Sequence, residues 1–271
     1  MKLSAFGVLC VALIFLGGCD APVLDQAARS IRIAGAYDNV QSAARNNDAE
    51  KLGGAIEELN DVGAFASFPK LAPPIAETAV RLGTFYEIQA QSDKGAARLE
   101  ALEKSAVQFR MALRLAPQFD SKNADSLNAL GYFLANRGSS SSDFDLAEKL
   151  TRRAVALLDA QIAAQPGDND IEQNKFNRAI TRDSLAWALF RQKRFGEALR
   201  EQQAAIEEAK IVSSISPASA ELRFHLGAIF RALGKTEEAR NEFQAALKLE
   251  PDNENARAAL QSLEKVRPKT E

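Results

Sequence analysis

Apolar residues recur along most of the chain at the three- and four-residue spacing of one face of an α-helix. From Leu24 to Asn60 this pattern predicts helices that break at Asn46-Asn47 and start again at Asp48. The prolines between Phe65 and Pro74 cannot lie inside one continuous helix. We therefore predict an all-α protein in which this stretch separates an N-terminal helical segment from the rest.

A leucine followed by a small residue recurs four times, each time inside one predicted helix that is followed by a second. The pairs are Leu82-Gly83, Leu130-Gly131, Leu185-Ala186 and Leu226-Gly227. In the clearest unit, which starts near Ala220, Gly234 permits a tight turn and Pro251 ends the second helix. Small residues let its two helices approach closely, at Gly227, Ala239 and Ala246, and apolar residues fill the seam, at Leu226, Phe230 and Phe243.

This spacing resembles the tetratricopeptide repeat, a pair of antiparallel helices of about 34 residues. The resemblance implies a right-handed α-solenoid of about four helix pairs over residues 74–253, and residues 183–199 match it well. In the second repeat, the run Ser139–Ser142 shifts the second helix away from the expected spacing, and we interpret this run as a lengthened turn. The first repeat has longer helices around a turn at Asp93–Gly95. The second helix of the third repeat is predicted to run to about Ser214.

The segments before and after these repeats are predicted separately. After Pro251, Asp252 can cap a last helix whose apolar stripe runs from Ala256 to Val266, and such a helix would cover the end of the array. The predicted layout is a signal peptide over residues 1–18, an N-terminal helical segment and linker over 19–73, the array over 74–253, and a capping helix and tail over 254–271.

The first nineteen residues read as a secretion signal, because Lys2 precedes an apolar stretch that is too short to span a bilayer. The stretch ends in Leu16-Gly17-Gly18-Cys19, which resembles the bacterial lipobox and implies that Cys19 is acylated and becomes the first mature residue. The alternative is an ordinary cleaved signal with an incidental cysteine. The lipobox predicts a lipid-anchored protein of the bacterial cell membrane that faces the periplasm or exterior. Inner and outer membrane remain equally open.

Composition narrows the possible chemistry. The 49 alanines favour packed helices, and a net charge of -2 offers no attraction for nucleic acid. With one histidine and two cysteines the chain has no zinc finger or disulfide framework. No phosphate-binding loop is present, so we expect no cofactor, no metal and no enzyme activity. His225 lacks ligand partners at local spacing and is expected to be packed or partly solvated.

The first helix of each unit lines a concave groove in this family. Carried over to this sequence, those positions are Asp125, Asn128, Tyr132 and Asn136 in the second repeat, Asp183, Trp187, Phe190 and Arg191 in the third repeat, and Phe224, Ala228 and Arg231 in the fourth repeat. Aromatic rings beside Asn and Arg suit an extended or helical peptide. The alternative for Tyr132, Trp187 and Phe224 is packing between repeats.

The resemblance implies a non-catalytic scaffold that binds other envelope proteins through this groove while its lipid anchor attaches it to the membrane. Two alternatives stay open: a glycan-binding accessory of exopolysaccharide export, and a regulator of cell-wall hydrolases. An enzyme would need a polar catalytic cluster in the N-terminal part, where the sequence shows none.

Overall fold

The computed structural model describes residues 21–164, 171–210 and 217–265, and these residues form α-helices and short turns without a β-strand. The predicted signal peptide, Cys19 and the end of the predicted capping stripe at Val266 lie outside the described residues. The predicted class, an all-α solenoid of helix pairs, is confirmed. The chain forms two compact units that divide between Asp120 and Ser121, here called unit 1 and unit 2.

Unit 1 contains five α-helices in the described part of the chain: α1 (Ala21–Asn46), α2 (Ala49–Asp61), the short α3 (Ala64–Ser67), α4 (Ala72–Ser92) and α5 (Gly95–Leu115). The predicted break between α1 and α2 is confirmed, and the Asp48 side chain caps α2 by accepting from the Lys51 amide at 2.9 Å. A turn of 3-10 helix at Pro69–Leu71 interrupts the proline-rich stretch. Since Pro73 and Pro74 lie in the first turn of α4, they leave no internal hydrogen bond unmade.

Within unit 1, α1 packs on α2, and α4 pairs with α5 across the predicted turn at residues 93–94. The Arg29 guanidinium on α1 donates to the carbonyl oxygens of Val62 at 2.6 Å and Gly63 at 3.0 Å, and so holds the end of α2. The Tyr86 hydroxyl on α4 donates to the Asn47 carbonyl at 2.9 Å. The helix pair predicted as the first repeat therefore belongs to the same compact unit as the N-terminal helices.

Unit 2 consists of three helix pairs and a final helix in its described residues. The pairs are α6 (Ala124–Arg137) with α7 (Ser141–Ala164), α8 (Ile171–Arg191) with α9 (Phe195–Ala209), and α10 (Pro217–Ala232) with α11 (Thr236–Leu249), and the last helix is α12 (Glu254–Lys265). Each pair also contacts the next one, since α8 packs on both α6 and α7, and α10 packs on both α8 and α9. Each hairpin thus covers an apolar face of its neighbour, as expected for stacked repeats.

The small residues of the repeated pairs lie where two helices approach closely. A Cβ added at Gly131 would stand 2.7 Å from the Thr151 methyl group, and one at Gly227 would stand 2.6 Å from the Phe243 ring. Ala186, at the corresponding place in the middle pair, is completely buried. The predicted reason for the Leu-small pairs, close helix approach within each hairpin, is therefore confirmed.

The serine run in the first pair of unit 2 does not form a lengthened turn. The turn takes residues 138–140, and Ser141 already begins α7, so the extra residues mostly lengthen the start of that helix. The Asp143 carboxylate stabilises this start because it accepts from the backbone amides of Ser139 and Ser140, each at 2.9 Å.

The predictions also include the ends of α9 and α12. Helix α9 ends at Ala209 with Lys210 as its C-cap, and the predicted end at Ser214 lies outside the described residues. The cap of α12 is Asn253 instead of Asp252, because the Asn253 side chain accepts from the Ala256 amide at 2.9 Å.

Helix α12 packs on the last helix pair as the capping prediction requires. Ala256, Ala259 and Leu263 are buried on it, and Ala259 and Leu263 form one cluster with Ala239 and Phe243 of α11. In the described part of the chain no helix is long and apolar enough to cross a membrane.

Candidate functional site

A buried polar cluster lies at the centre of unit 2. The Asp183 carboxylate on α8 contacts the His225 Nδ1 atom on α10 through both of its oxygens, at 2.9 and 3.0 Å. The Gln202 amide on α9 donates to Asp183 at 2.6 Å and to the Leu222 carbonyl at 2.9 Å. Asp183, Gln202 and His225 are all buried. Three helices from two neighbouring hairpins are therefore joined by one set of hydrogen bonds.

A second carboxyl group lies on the same face of α10 as the histidine. Glu221 precedes His225 by one helical turn, and its carboxylate accepts a hydrogen bond from the Tyr132 hydroxyl on α6. Burial raises the pKa of Glu221; the His225 charge opposes this shift, and the Asp183 charge adds to it. Burial alone would lower the pKa of His225, but the charge and hydrogen bond of Asp183, aided by Glu221, raise it above its ordinary value.

Trp187 covers this cluster and forms the centre of a row of rings. Its indole stacks on the His225 ring with centroids 4.2 Å apart and on the Phe190 ring at 4.7 Å. The Phe224 ring lies 6.3 Å away at a tilt of 50°. Packing between repeats, the alternative weighed for these rings, is thus part of their role.

Two polar atoms among the predicted groove residues have no hydrogen-bond partner. They are the Trp187 Nε1 donor on α8 and the Asn128 Oδ1 acceptor on α6. Both atoms are buried, and a buried donor or acceptor without a partner costs about 1 to 3 kcal/mol. Both side chains are otherwise partly exposed, so a partner that turns them outward could supply a carbonyl oxygen to the indole and an N–H group to the amide and remove this cost.

Arg191 is used inside the array. Its guanidinium, at the end of α8, donates to the carbonyl oxygens of Ala135 at 2.6 Å, Asn136 at 3.1 Å and Gly138 at 3.0 Å. The same group lies over the Phe144 ring, 4.3 Å from its centroid. Because the last carbonyls of a helix lack partners within it, Arg191 serves as a cap for α6 that comes from the next hairpin.

The other predicted groove residues divide by exposure. Asp183 and Ala228 are buried, so the expectation that they line an open surface is wrong for their side chains. Phe224 is half-buried, and Asp125 and Asn136 are exposed. Arg231 is exposed and contacts the Ser262 hydroxyl of α12 at 3.3 Å. The residues that the structure brings together are Tyr132, Asp183, Trp187 and Phe224, with His225 and Glu221 between them.

Sequence reasoning did not identify Glu221 and Gln202, and it assigned His225 no carboxylate partner. The packed position of His225 is confirmed, but its partner Asp183 is 42 residues away. The available signal was the four-residue spacing of Asp183 with Trp187 and of Glu221 with His225, which places each pair on one helix face. Within the described residues no group of three or more His, Cys, Asp and Glu side chains is arranged to hold a metal ion.

Unit 1 contains a cleft of about 460 Å³ between α1 and α4. Tyr37 and Arg45 line it from α1, and Glu77 and Arg81 line it from α4. Both arginines are exposed to solvent, and Thr78, which is buried there, already donates to the Pro74 carbonyl at 3.1 Å. The lining therefore offers no buried free polar group that would define a ligand.

Two segments of unit 2 match models of one repeat family. Residues 178–214 match the model described as tetratricopeptide repeat, and residues 227–260 match one described as TPR repeat. Each of these two segments is similar to a tetratricopeptide repeat. They coincide with the α8/α9 pair and with the α10 to α12 region, where the sequence resemblance is strongest. Repeats of this family are generally non-catalytic scaffolds for protein interaction.

Solved structures with similar helical hairpins include YrrB, which is described as a TPR protein with an unusual peptide-binding site. YrrB shares 19% identity with this protein, and the match covers 82% of this chain and 96% of YrrB, with a TM-score of 0.37. BtubC from P. vanneervenii shares 19% identity over 86% and 92% of the two chains, with a TM-score of 0.40. RapI in its apo form shares 13% identity over 86% and 71%, with a TM-score of 0.42. No curated protein sequence matches the chain significantly.

Proposed function

We propose that this protein is a non-catalytic scaffold lipoprotein of the bacterial envelope that binds a peptide segment of a partner protein along the first helices of unit 2. The observation that carries the proposal is the pair of unpartnered polar atoms, Asn128 Oδ1 and Trp187 Nε1, on the first helices of two adjacent hairpins. An extended peptide offers both an N–H donor and a carbonyl acceptor at every residue. The stacked rings of Trp187 and Phe190 supply an apolar surface beside the indole N–H group.

The binding proposal is tested by crosslinking and pull-down from membranes, followed by affinity measurements on the partner that is captured. Trp187→Phe keeps the stacked ring but removes the N–H donor, and Asn128→Ala removes the acceptor. We expect each change to weaken binding by about tenfold or more, since central interface anchors commonly contribute about 2 kcal/mol. Asn241→Ala is the matched control, because Asn241 is an exposed asparagine on the second helix of its hairpin. Equal affinity for all three variants would contradict the proposed surface.

The envelope assignment rests on the lipobox-like sequence that ends at Cys19. We expect the wild-type protein to partition with membranes and its mature N-terminus to be an acylated Cys19, because two or more acyl chains hold a protein stably on a bilayer. Cys19→Ser is expected to abolish acylation and cleavage. Mass spectrometry of the mature N-terminus measures both. An unmodified terminus at another residue would contradict the lipoprotein proposal and leave the peptide-binding proposal intact.

A further inference from the structure

His225 is the only histidine in the chain, and it is buried between carboxyl groups. Asp183 faces it from α8, and Glu221 faces it from the preceding turn of α10. Glu221 in turn is acted on by Tyr132 of α6 and by the charge of Glu250. The other contacts are the neutral side chains of Trp187, Phe224 and Gln202, of which Gln202 reaches it through Asp183.

The nearby arginines are engaged elsewhere. Arg182, next to Asp183 in the sequence, donates to Glu201 at 2.7 Å, and Arg223 donates to Glu242 at 3.0 Å. When His225 is protonated, it is therefore the positive charge that faces both Asp183 and Glu221. Without that charge, the buried carboxyl group of Asp183 and the partly buried one of Glu221 lie around a neutral ring, and such groups oppose each other's ionisation.

We infer that the packing of the α8/α9 hairpin against α10 depends on a proton bound to His225, so that this junction of unit 2 loosens reversibly when the proton is lost. The neutral imidazole can still donate from Nδ1 to Asp183, but it no longer offsets either carboxyl charge. The stack of Trp187 on the ring also loses a cation, since an imidazolium under an indole face is attracted by the ring quadrupole. The dependence does not require a bound partner.

The direction of the effect follows from the two shifted groups. The pKa of His225 is raised on folding, so its contribution to stability is fully present below about pH 6.5 and is lost as the pH rises through the folded value. The pKa of Glu221 is raised as well, so the folded state also loses relative stability as the pH rises from about 4.3 towards the folded value of Glu221. Both groups favour the folded junction at lower pH.

Surface carboxylates do not reverse this direction above pH 6. Glu148 and Glu197 have lowered pKa values. At Glu148, burial alone would raise the pKa, but hydrogen bonds from Arg152 and Gln192 and the charge of Arg194 outweigh it. At Glu197, a hydrogen bond from Arg194 is the main cause of the lowered pKa. The stability that they contribute is present above about pH 4.3 and is lost only in more acidic solution. A fall in stability between pH 6 and 8 therefore reports on the cluster around His225.

The chain provides two specific probes of this cluster. NMR titration of the single imidazole assigns its pKa without ambiguity, and the single tryptophan, Trp187, reports unfolding at the same place. In urea unfolding of the purified full-length protein followed by Trp187 fluorescence, we expect the folding equilibrium constant to fall by up to about tenfold per pH unit above pH 6.5. An imidazole pKa at or below 6.5 would overturn the inference.

Variants separate the proton from the hydrogen bond. His225→Gln keeps a side-chain donor for Asp183 but cannot take up a proton, so the fall of its folding equilibrium constant with pH should become shallower and keep only the contribution of Glu221. Glu221→Gln is the second variant and keeps the histidine; the imidazole pKa should shift downwards and the pH dependence should become shallower. Glu237→Gln, at an exposed position of α11, is the matched control and should behave as wild type. An unchanged slope in His225→Gln, or an unchanged imidazole pKa in Glu221→Gln, would overturn the inference.

Discussion

At the scale of single residues, two turns show how this repeat tolerates an unfavourable backbone. Gly234 has a φ of 75° in the turn between α10 and α11, and Lys193 occupies the corresponding place between α8 and α9 with a φ of 63°. For a residue with a Cβ atom, left-handed backbone costs about 1 to 2 kcal/mol. The two turns thus share one shape but differ in its energetic cost.

We expect Lys193→Gly to stabilise unit 2 by about 0.5 to 1 kcal/mol, because relief of the left-handed strain exceeds the added entropy of the unfolded chain. Gly234→Ala should have the opposite effect and destabilise by about 1 kcal/mol. Urea unfolding followed by Trp187 fluorescence measures both changes. Stabilisation by both substitutions would show that the turn shape does not determine the cost.

Arg191 carries more stability than a surface position would. It donates to three carbonyl oxygens at and beyond the end of α6, and hydrogen bonds from a charged donor contribute about 1.5 to 3 kcal/mol. We expect Arg191→Ala to lower the free energy of unfolding by about 2 kcal/mol, with allowance for the partial exposure of the side chain. Arg200→Ala is the control on an exposed face of α9 and should change it by less than about 0.5 kcal/mol. Equal losses of unfolding free energy in Arg191→Ala and Arg200→Ala would mean that the Arg191 cap contributes nothing measurable to stability.

At the scale of helices, the first and last hairpins of unit 2 depend on the absence of a Cβ atom at one contact. The Gly227 backbone lies so close to α11 that an added Cβ would stand 2.6 Å from the Phe243 ring and 3.2 Å from the Ala239 carbonyl oxygen. The ring is completely buried. The pair α10/α11 therefore packs at a distance that only glycine permits.

We expect Gly227→Ala to destabilise unit 2 by about 1 to 3 kcal/mol, since overpacking forces the paired helices apart. Ala246→Leu, at a completely buried position of α11, should act in the same way. Gly196→Ala is the matched control, because nothing lies within 4 Å of its added Cβ, and it should be neutral or slightly stabilising. Thermal melts of the three variants measure the difference. A neutral Gly227→Ala would show that the helices can separate without cost.

At the scale of the whole molecule, unit 2 is a series of hairpins in which each depends on its neighbour. Asp183, Gln202 and His225 connect the middle and last pairs, Arg191 connects the first and middle pairs, and α12 covers Phe243 at the end. In such an array stability is roughly a sum of hairpin and interface contributions, so loss of an end propagates inwards.

Truncation after Asp252 should therefore expose the buried face of α11 and reduce hydrogen-exchange protection first in α10 and α11. The protection of α6 and α7 should change less, because they lie farther along the array. Hydrogen exchange with mass spectrometry, compared between the truncated and full-length proteins, measures this gradient. Unchanged protection in α11 would show that α12 is not a cap.

The sequence by itself determined the helical class, the break before Asp48, the tight turn at Gly234 and the small residues of the hairpin seams. These features depend on periodicity and on backbone conformation, which are local properties that neighbouring residues encode directly. For the same reason the repeat was recognisable in the two segments where it is regular.

Only the tertiary structure decided which groove positions are open and which are used inside the array. The pairing of Asp183 with His225, and of Arg191 with the carbonyls of Ala135, Asn136 and Gly138, joins residues that are 42 and more positions apart. Such contacts depend on how one hairpin is rotated and shifted on the next, which the sum of many side-chain contacts sets and no single spacing reveals. His225, whose hydrogen-bonded carboxylate partner is 42 residues away, thus lies at the centre of a buried charged cluster.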